Sequence, residues 1–257
     1  MKRSTYYAAI QNKPDKYESE KELIKQIFHH HKGRYGYRRI TVLVRRAGFA
    51  LNHKTVKRLM NELGLKSCVR PKKYHSYKGI EGKRFPNILQ RNFKTTGFNE
   101  KWVTDVTEFN ISGQRIYLSA LIDLYNQEVI SYTISHRPTL NFVCKMLSNV
   151  FEKYNNLKGL IIHSDQGWHY RTERYTQMLK MKDVTQSMSR KGNCLDNCMV
   201  ENFFGLLKTE FYYMNKFSSV EEFKKALVEY IAYYNTERIK IGLNGLSPIE
   251  FRAQYAA

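Results

Sequence analysis

Apolar positions along this chain change their period near residue 100. Before that point they recur at steps of three and four. Leu23, Ile24, Ile27 and Phe28 do so over residues 20–31, and Ile40, Leu43 and Val44 do so between Tyr37 and Ala47. That spacing belongs to helices with one buried stripe. Gly48 stops the second helix, Asn52 is a good N-cap for a third from His53 to Leu63, and Gly64 ends it. Three short helices with a tight glycine turn before a basic last one predict a helix-turn-helix. Val56, Leu59 and Leu63 give the third helix its apolar face, and Lys54, Lys57 and Arg58 its exposed one. Residues 1–18 are polar and basic and read as a short helix or a frayed lead-in.

Beyond residue 100, β-branched alternating runs and helical runs take turns. Trp102–Asn110, Arg115–Asp123 and Glu128–Ser135 read as three strands, the first two joined by a turn at Ser112-Gly113. Thr139–Tyr154 is a helix with Phe142, Val143, Met146, Leu147 and Val150 inward. Gly159–His163 is a strand, Thr172–Met181 a helix and Val184-Thr185-Gln186 a short strand. Asp196–Tyr213 and Val220–Tyr234 are helices, and Tyr230, Tyr233 and Tyr234 read as core of the second. The chain therefore divides into a helix-turn-helix domain over 1–65, a basic linker over 66–98 and an α/β domain with a C-terminal helical extension over 99–257.

Charge sharpens that division. The 257 residues carry a formal charge of +20. Residues 1–101 hold 25 Lys and Arg against 7 Asp and Glu, whereas residues 102–257 hold 18 against 16. A basic first part interleaved with aromatic residues implies a polyanionic partner, nucleic acid above all, over a merely solvated surface. Residues 1–101 alone are expected to bind duplex DNA. The strip Cys68-Val69-Arg70-Pro71-Lys72-Lys73-Tyr74-His75 reads either as a path for a phosphate backbone or as a spacer. No apolar run reaches membrane-spanning length and no signal peptide precedes the chain, so a cytoplasmic location is expected. Cys68, Cys144, Cys194 and Cys198 make no disulfide framework, and His29-His30-His31 lacks the paired cysteines of a structural zinc site.

Three acids carry the chemistry. Asp105 sits within the apolar strand Trp102–Asn110, and Asp165 follows the apolar run Leu160-Ile161-Ile162-His163. Glu201 opens a helical run, with thirty-five residues separating it from Asp165, and Lys208 lies seven further on, on the same helix face. Taken singly, a strand Asp or a helix Glu is usually solvated or salt-bridged, as expected of Asp123 and Glu128. Together the three offer a hard oxygen site suited to magnesium or manganese, with a cation beside it for a polyanionic substrate.

The spacing and the surrounding phrases resemble one family. Trp102-Val103-Thr104-Asp105, His163-Ser164-Asp165-Gln166-Gly167, Ser189-Arg190-Lys191-Gly192-Asn193, Glu201-Asn202-Phe203-Phe204-Gly205-Leu206-Leu207-Lys208 and the C-terminal Leu243-Asn244-Gly245-Leu246-Ser247-Pro248-Ile249-Glu250-Phe251 are similar to the DDE transposases of the IS-three family of bacterial insertion sequences, in their second reading frame. Tyr35-Gly36-Tyr37-Arg38-Arg39-Ile40 resembles that family's DNA-binding module, and Pro86–Phe93 its entry into the catalytic domain. The resemblance implies a ribonuclease H-like, retroviral integrase-type core. It implies two Mg2+ ions, replaceable by Mn2+, with Asp105 touching both and Asp165 and Glu201 one each. It implies end cleavage followed by strand transfer on double-stranded DNA, both inverted-repeat ends and target, by a homodimer or larger assembly in the bacterial nucleoid. It also implies fusion to, or action with, the product of an upstream first reading frame. Lys208, Arg190, Lys191 and Asn197 are expected to contact DNA near the site. Arg38, Arg39, Lys54, Lys57 and Arg58 are expected to do so from the helix-turn-helix. His163 is expected either to orient Asp165 or a phosphate, or to be structural. The chain departs from retroviral integrases in lacking their N-terminal zinc module. The rival readings are a ribonuclease H-like nuclease or resolvase, which cuts without joining, and a DNA-binding regulator with an inactive nuclease-like domain. His31-Lys32-Gly33-Arg34 matches the His-x-x-Arg spacing of tyrosine recombinases, but it falls before any catalytic domain.

Overall fold

Two compact units, Met1–Arg70 and Pro71–Ala257, make up the protein in a computed structural model that describes residues 15–69, 85–190 and 194–255. Residues 1–14 of the expected lead-in, 70–84 of the expected linker and 191–193 of the basic loop lie outside the described residues.

The first unit is three helices: α1 (Glu18–His30), α2 (Tyr37–Arg46) and α3 (His53–Glu62). Their apolar stripes meet through Ile24 and Phe28, Ile40 and Val44, and Val56, Leu59 and Met60, all buried. Local chemistry sets the ends where the sequence places them. Gly48, at φ +95, takes the left-handed conformation that ends α2, with Phe49 N–H closing back on the Val44 carbonyl at 3.2 Å. Asn52 Oδ1 accepts the Lys54 N–H at 2.9 Å and caps α3. Of the three clustered histidines, His31 is buried and stacks on the buried Tyr35 with ring centroids 3.9 Å apart.

The second unit is built on a five-stranded sheet in the order β3-β2-β1-β4-β5. Its strands are β1 (Lys101–Ile111), β2 (Gln114–Asp123), β3 (Val129–Ser135), β4 (Ile161–Ser164) and β5 (Thr185–Met188). The first three form an antiparallel meander, while β4 runs parallel to both β1 and β5. One face is covered by α4 (Leu140–Lys153) and α5 (Glu173–Lys180), packed around Trp102, Leu121, Ile162 and Met188. The other is covered by α6 (Cys198–Leu207), which runs into a widened π turn at Lys208–Tyr212, and by α7 (Val220–Thr236). This second core holds Val103, Phe109, Ile116, Leu118, Ala120 and Ile122. The five inward residues expected on Thr139–Tyr154 are all buried, as are Tyr230 and Tyr234.

Three features differ from expectation. An eighth helix, α8 (Pro248–Tyr255), closes the chain. It is started by a reciprocal cap in which Ser247 N–H donates to Glu250 Oε2 (2.7 Å) and Glu250 N–H to Ser247 Oγ (3.3 Å). The linker is also shorter than 66–98 at both ends. Cys68 N–H bonds the Gly33 carbonyl (3.0 Å) within the first unit, and residues 85–98 are built into the second. There Leu89 enters the core, and the N–H groups of Ile88 and Leu89 both donate to Ser187 Oγ (3.0 and 3.1 Å). Finally, Asp123 is held by hydrogen bonds and not by solvent or a salt bridge, whereas Glu128 is salt-bridged as expected. Buried Asp123 accepts from Trp102 Nε1 (3.0 Å) and the Asn99 and Tyr125 N–H groups, and buried Glu128 pairs with Arg252 (2.9 Å).

Candidate active site

Strand alternation and register bring the first two acids together. Trp102 enters the core under α4 and α5, and Val103 the core under α6 and α7. Asp105, two residues past Val103, therefore emerges on the α6 side. Val103 pairs with His163 in the parallel β1–β4 ladder. Asp105 lies two residues further along β1 and Asp165 directly follows the end of β4, near enough for the Asp165 charge to act on Asp105. Glu201 stands in the first turn of α6, which lies on β1 through Val200, Phe203 and Phe204. Asp105 and Asp165 are half-buried, and Glu201 is exposed at the mouth.

The three carboxylates perturb one another. Burial raises the Asp105 carboxyl well above its usual range, and the charges of Asp165 and Glu201 raise it further. The Val106 N–H, 2.7 Å from Asp105 Oδ1, and the Lys208 charge act in the opposite direction. Burial likewise raises Asp165, against a 2.9 Å hydrogen bond from the Gly167 N–H and the charges of His169 and Arg171. Burial and then Asp165 raise Glu201. Among the described residues none of the three forms a salt bridge. Nor do any three Asp, Glu, His or Cys side chains among them close into a ready cation cage. The three acids thus form one partly buried cluster whose nearest opposing charges are those of Lys208, His169 and Arg171.

Lys208 is half-buried two turns along from Glu201, with Nζ 5.7 Å from the centroid of the Phe109 ring. The other expected contacts are placed differently. Asn197 is buried, and neither of its amide atoms has a hydrogen-bond partner. Arg190 is committed to Asp196, its Nε 2.9 Å from Oδ2 and its Nη2 3.1 Å from Oδ1. Asp196 also holds Arg91 (2.7 Å) and Asn87 (2.9 Å); burial alone would raise its carboxyl, but the bonds from Arg190 and then Arg91 pull it far down. The Asp196 cluster thus pins the segment leading into α6 onto the entry segment. Lys191 lies outside the described residues. His163 is buried, its Nδ1 is 2.8 Å from Ser187 Oγ, its Nε2 has no hydrogen-bond partner, and burial lowers its pKa to about 4.

In the first unit Lys54, Lys57, Arg58 and Arg38 are exposed. Lys57 Nζ and the Arg38 guanidinium both approach the Tyr37 ring, at 5.6 and 5.7 Å. Arg58 is paired with Glu62 and lies over Tyr17, and half-buried Arg39 lies over Tyr35. Lys54, Lys57 and Arg38 are thus the most open part of that basic face.

A mixed sheet presenting one acid from each of two adjacent strands and a third from a crossing helix defines a ribonuclease H-like core of the polynucleotidyl transferase class. Residues 96–194 and 201–255 match the integrase core domain family, and residues 15–74 match the HTH-like domain. The chain is 53% identical over 254 residues to the putative transposase InsK for insertion sequence element IS150 of Escherichia coli K12, spanning 98% of this chain and 90% of that protein. It is 35% identical to the transposase for insertion sequence element IS904 of Lactococcus lactis, over 94% of this chain and 98% of that one. It is 33% identical to the transposase InsF for insertion sequence IS3A of E. coli K12, over 86% and 77%. The fold is similar to a chain of the simian T-cell lymphotropic virus intasome bound to PP2A regulatory subunit B56 gamma, with a TM-score of 0.52 at 15% identity, covering 89% of this chain and 73% of that one. The chain belongs to the insertion-sequence transposases of the IS3 type, and its function is transposition by DNA integration. Among the described residues no helix is long and apolar enough to cross a membrane.

Proposed function

We propose that the chain cuts the ends of its element and joins them to target DNA at a single site made by Asp105, Asp165 and Glu201, loaded with two divalent cations, Mg2+ or Mn2+. The observation that carries this reading is the acid cluster itself, where burial raises all three carboxylates and the Asp165 charge raises Asp105 and Glu201, with no salt bridge to any of the three among the described residues. Excess negative charge in a partly desolvated oxygen site fits a hard cation. Asp105 would touch both ions, Asp165 one and Glu201 the other. Bound there, the ions would supply Lewis acidity toward the attacking and leaving oxygens of a phosphodiester.

The chain's own residues hold the DNA and leave the nucleophile's place open. In cleavage, a water oxygen bonds to phosphorus, the bond to the 3′ oxygen breaks, and that oxygen takes a proton and leaves as a 3′-hydroxyl. In joining, this hydroxyl bonds to a target phosphorus and the target's own 3′ oxygen leaves. No side chain becomes covalently attached. A nuclease or resolvase would perform only the first step, and a regulator neither. Supplying pre-cut ends with target DNA and Mg2+ separates the three, because only a transposase joins them.

Lys208 holds the DNA end beside the acids and transfers no proton. An ammonium on the Glu201 face can meet a phosphate but cannot bind a metal ion. Lys208→Ala is expected to weaken end binding and slow both cleavage and joining, with Lys208→Arg retaining much of both. Joining of pre-cut ends by Lys208→Ala at the unmodified rate, with equal binding, would show the lysine to be a surface residue only.

The basic helix-turn-helix face supplies salt-sensitive DNA affinity. Neutralising Lys54, Lys57 or Arg38 in the full chain should weaken binding across sequences. Each phosphate that is no longer neutralised should reduce the slope of log K against log salt by about 1. A gel-shift titration measures this. An unchanged slope in all three variants would move DNA affinity away from this face.

A further inference from the structure

Asp165 has an outer shell of its own. Gly167 donates its N–H to Asp165 Oδ1, and its backbone, at φ −54 and ψ 142, is one any residue adopts. Conformational freedom is therefore not what keeps this position small. Space does: a Cβ at 167 would stand 2.8 Å from Asp165 Oδ1 and 3.2 Å from the Tyr170 ring. The ring is fixed, so the carboxylate is the group that would have to move.

Tyr170 is fixed from several sides. Its N–H closes the turn onto the Gly167 carbonyl at 3.2 Å, and Gln186 Nε2 donates to its carbonyl at 2.6 Å. The ring meets Tyr175 edge-on at 5.3 Å and is 1% exposed. Its hydroxyl has no partner of good hydrogen-bond geometry, although the Thr104 hydroxyl lies close enough to act on it. The neighbouring Thr104 hydroxyl turns to the Met146 sulfur, 3.9 Å away. Leaving a buried hydroxyl unpaired is costly, and phenylalanine would fill the same space without that cost. The phenol also lies where it feels the charges of both Asp105 and Asp165.

We infer that Gly167 and Tyr170 are positioning residues for Asp165. Gly167 fixes Oδ1 through its N–H and its missing side chain, which leaves Oδ2 for a cation. Tyr170, whose ring packs against Gly167 and whose hydroxyl feels both aspartates, holds a donor for the cation-loaded state. Outer groups of this kind orient metal-binding carboxylates, and losing one typically costs 10–100-fold in metal affinity. The inference rests on the reading of Asp165 as a cation ligand.

The test is Mn2+ titration of the full chain, following free ion by electron paramagnetic resonance, with thermal melting in chelator and joining of pre-cut ends beside it. Asp165→Asn serves as the control that loses binding. Gly167→Ala and Tyr170→Phe are each expected to weaken Mn2+ binding about 10-fold or more. Each should also raise the Mg2+ concentration that half-saturates joining. Tyr170→Phe should melt no lower than the unmodified chain, since it removes an unpaired group; a purely structural tyrosine would leave the Mn2+ titration unmoved. If Gly167→Ala melts much lower, Tyr170→Phe alone decides. Unchanged Mn2+ affinity in Tyr170→Phe, while Asp165→Asn loses binding, overturns the inference and leaves the cation reading intact. Unchanged affinity in Asp165→Asn overturns both.

Discussion

Asp105→Asn is expected to abolish cleavage and joining while DNA binding persists and the metal-free protein becomes more stable, not less. The two effects share one cause. Asp105 lies innermost of the three acids, and its carboxyl is raised by burial and then by Asp165 and Glu201. A carboxyl raised in the folded state favours folding where it is protonated, below the range in which the unfolded chain ionises. That contribution is lost as pH climbs toward the raised folded value. The chain in chelator should therefore lose stability from mildly acidic to neutral pH. Asp105→Asn should flatten that loss and melt higher at neutral pH. Divalent cations should stabilise the unmodified chain by binding only its folded form, and should do much less for the variant. Melting curves across pH, with chelator and with Mn2+, and a joining assay on pre-cut ends are the measurements. A variant that still joins ends removes Asp105 from the reaction. One that melts lower in chelator shows that the carboxylate is held by partners the recess does not display.

How legible this site was depends on the range of the interactions that build it. Asp105 was readable because strand alternation is local: a polar residue inside Trp102–Asn110 must emerge on one face, and the turn at Ser112-Gly113 fixes the meander that follows. Asp165 was readable for the same reason, at the end of an apolar run before Gln166-Gly167. The helix of Glu201 and Lys208 announced itself by its stripe of Phe203, Phe204 and Leu207. What escaped the sequence is partnership across the chain. Asp196 and Arg190 are six residues apart, but Arg91 and Asn87 reach the same carboxylate from more than a hundred residues away. Nothing local said that Arg190, its side chain still 59% exposed, would be paired with a buried carboxylate. Asn197 has a helical offset suited to the site, yet the turn before α6 buries it. Ser247 and Glu250 carried a readable start for α8 in their three-residue spacing.

Glu210 carried a readable signal too, and it leads to the largest expected loss of stability. It falls on the stripe of Phe203 and Leu207, where a charge demands a buried partner. Arg238 is that partner. Its Nε and Nη2 reach Glu210 Oε2 and Oε1 at 2.6 and 2.5 Å, Tyr230 adds a hydroxyl to Oε2 at 3.2 Å, and both charged side chains are 1% exposed. The pair ties the π turn at the end of α6 to the chain just past α7, and so holds from behind the helix that carries Glu201 and Lys208. Removing one member leaves a buried charge unmatched, at about 3–5 kcal/mol, a large part of the roughly 5–15 kcal/mol that holds a domain folded. Arg238→Ala and Glu210→Gln should each lower the melting temperature by about 10 °C. Replacing both, as Glu210→Leu with Arg238→Met, should recover most of that loss, because the stripe then reads as apolar throughout. The double variant also separates stability from geometry. If the pair sets the angle of α6, joining stays slow at 25 °C even where melting is restored; if it only balances charge, joining returns with stability. A melting temperature that moves by less than about 2 °C in Arg238→Ala would mean that water reaches Glu210 and that the pair does not hold the helix.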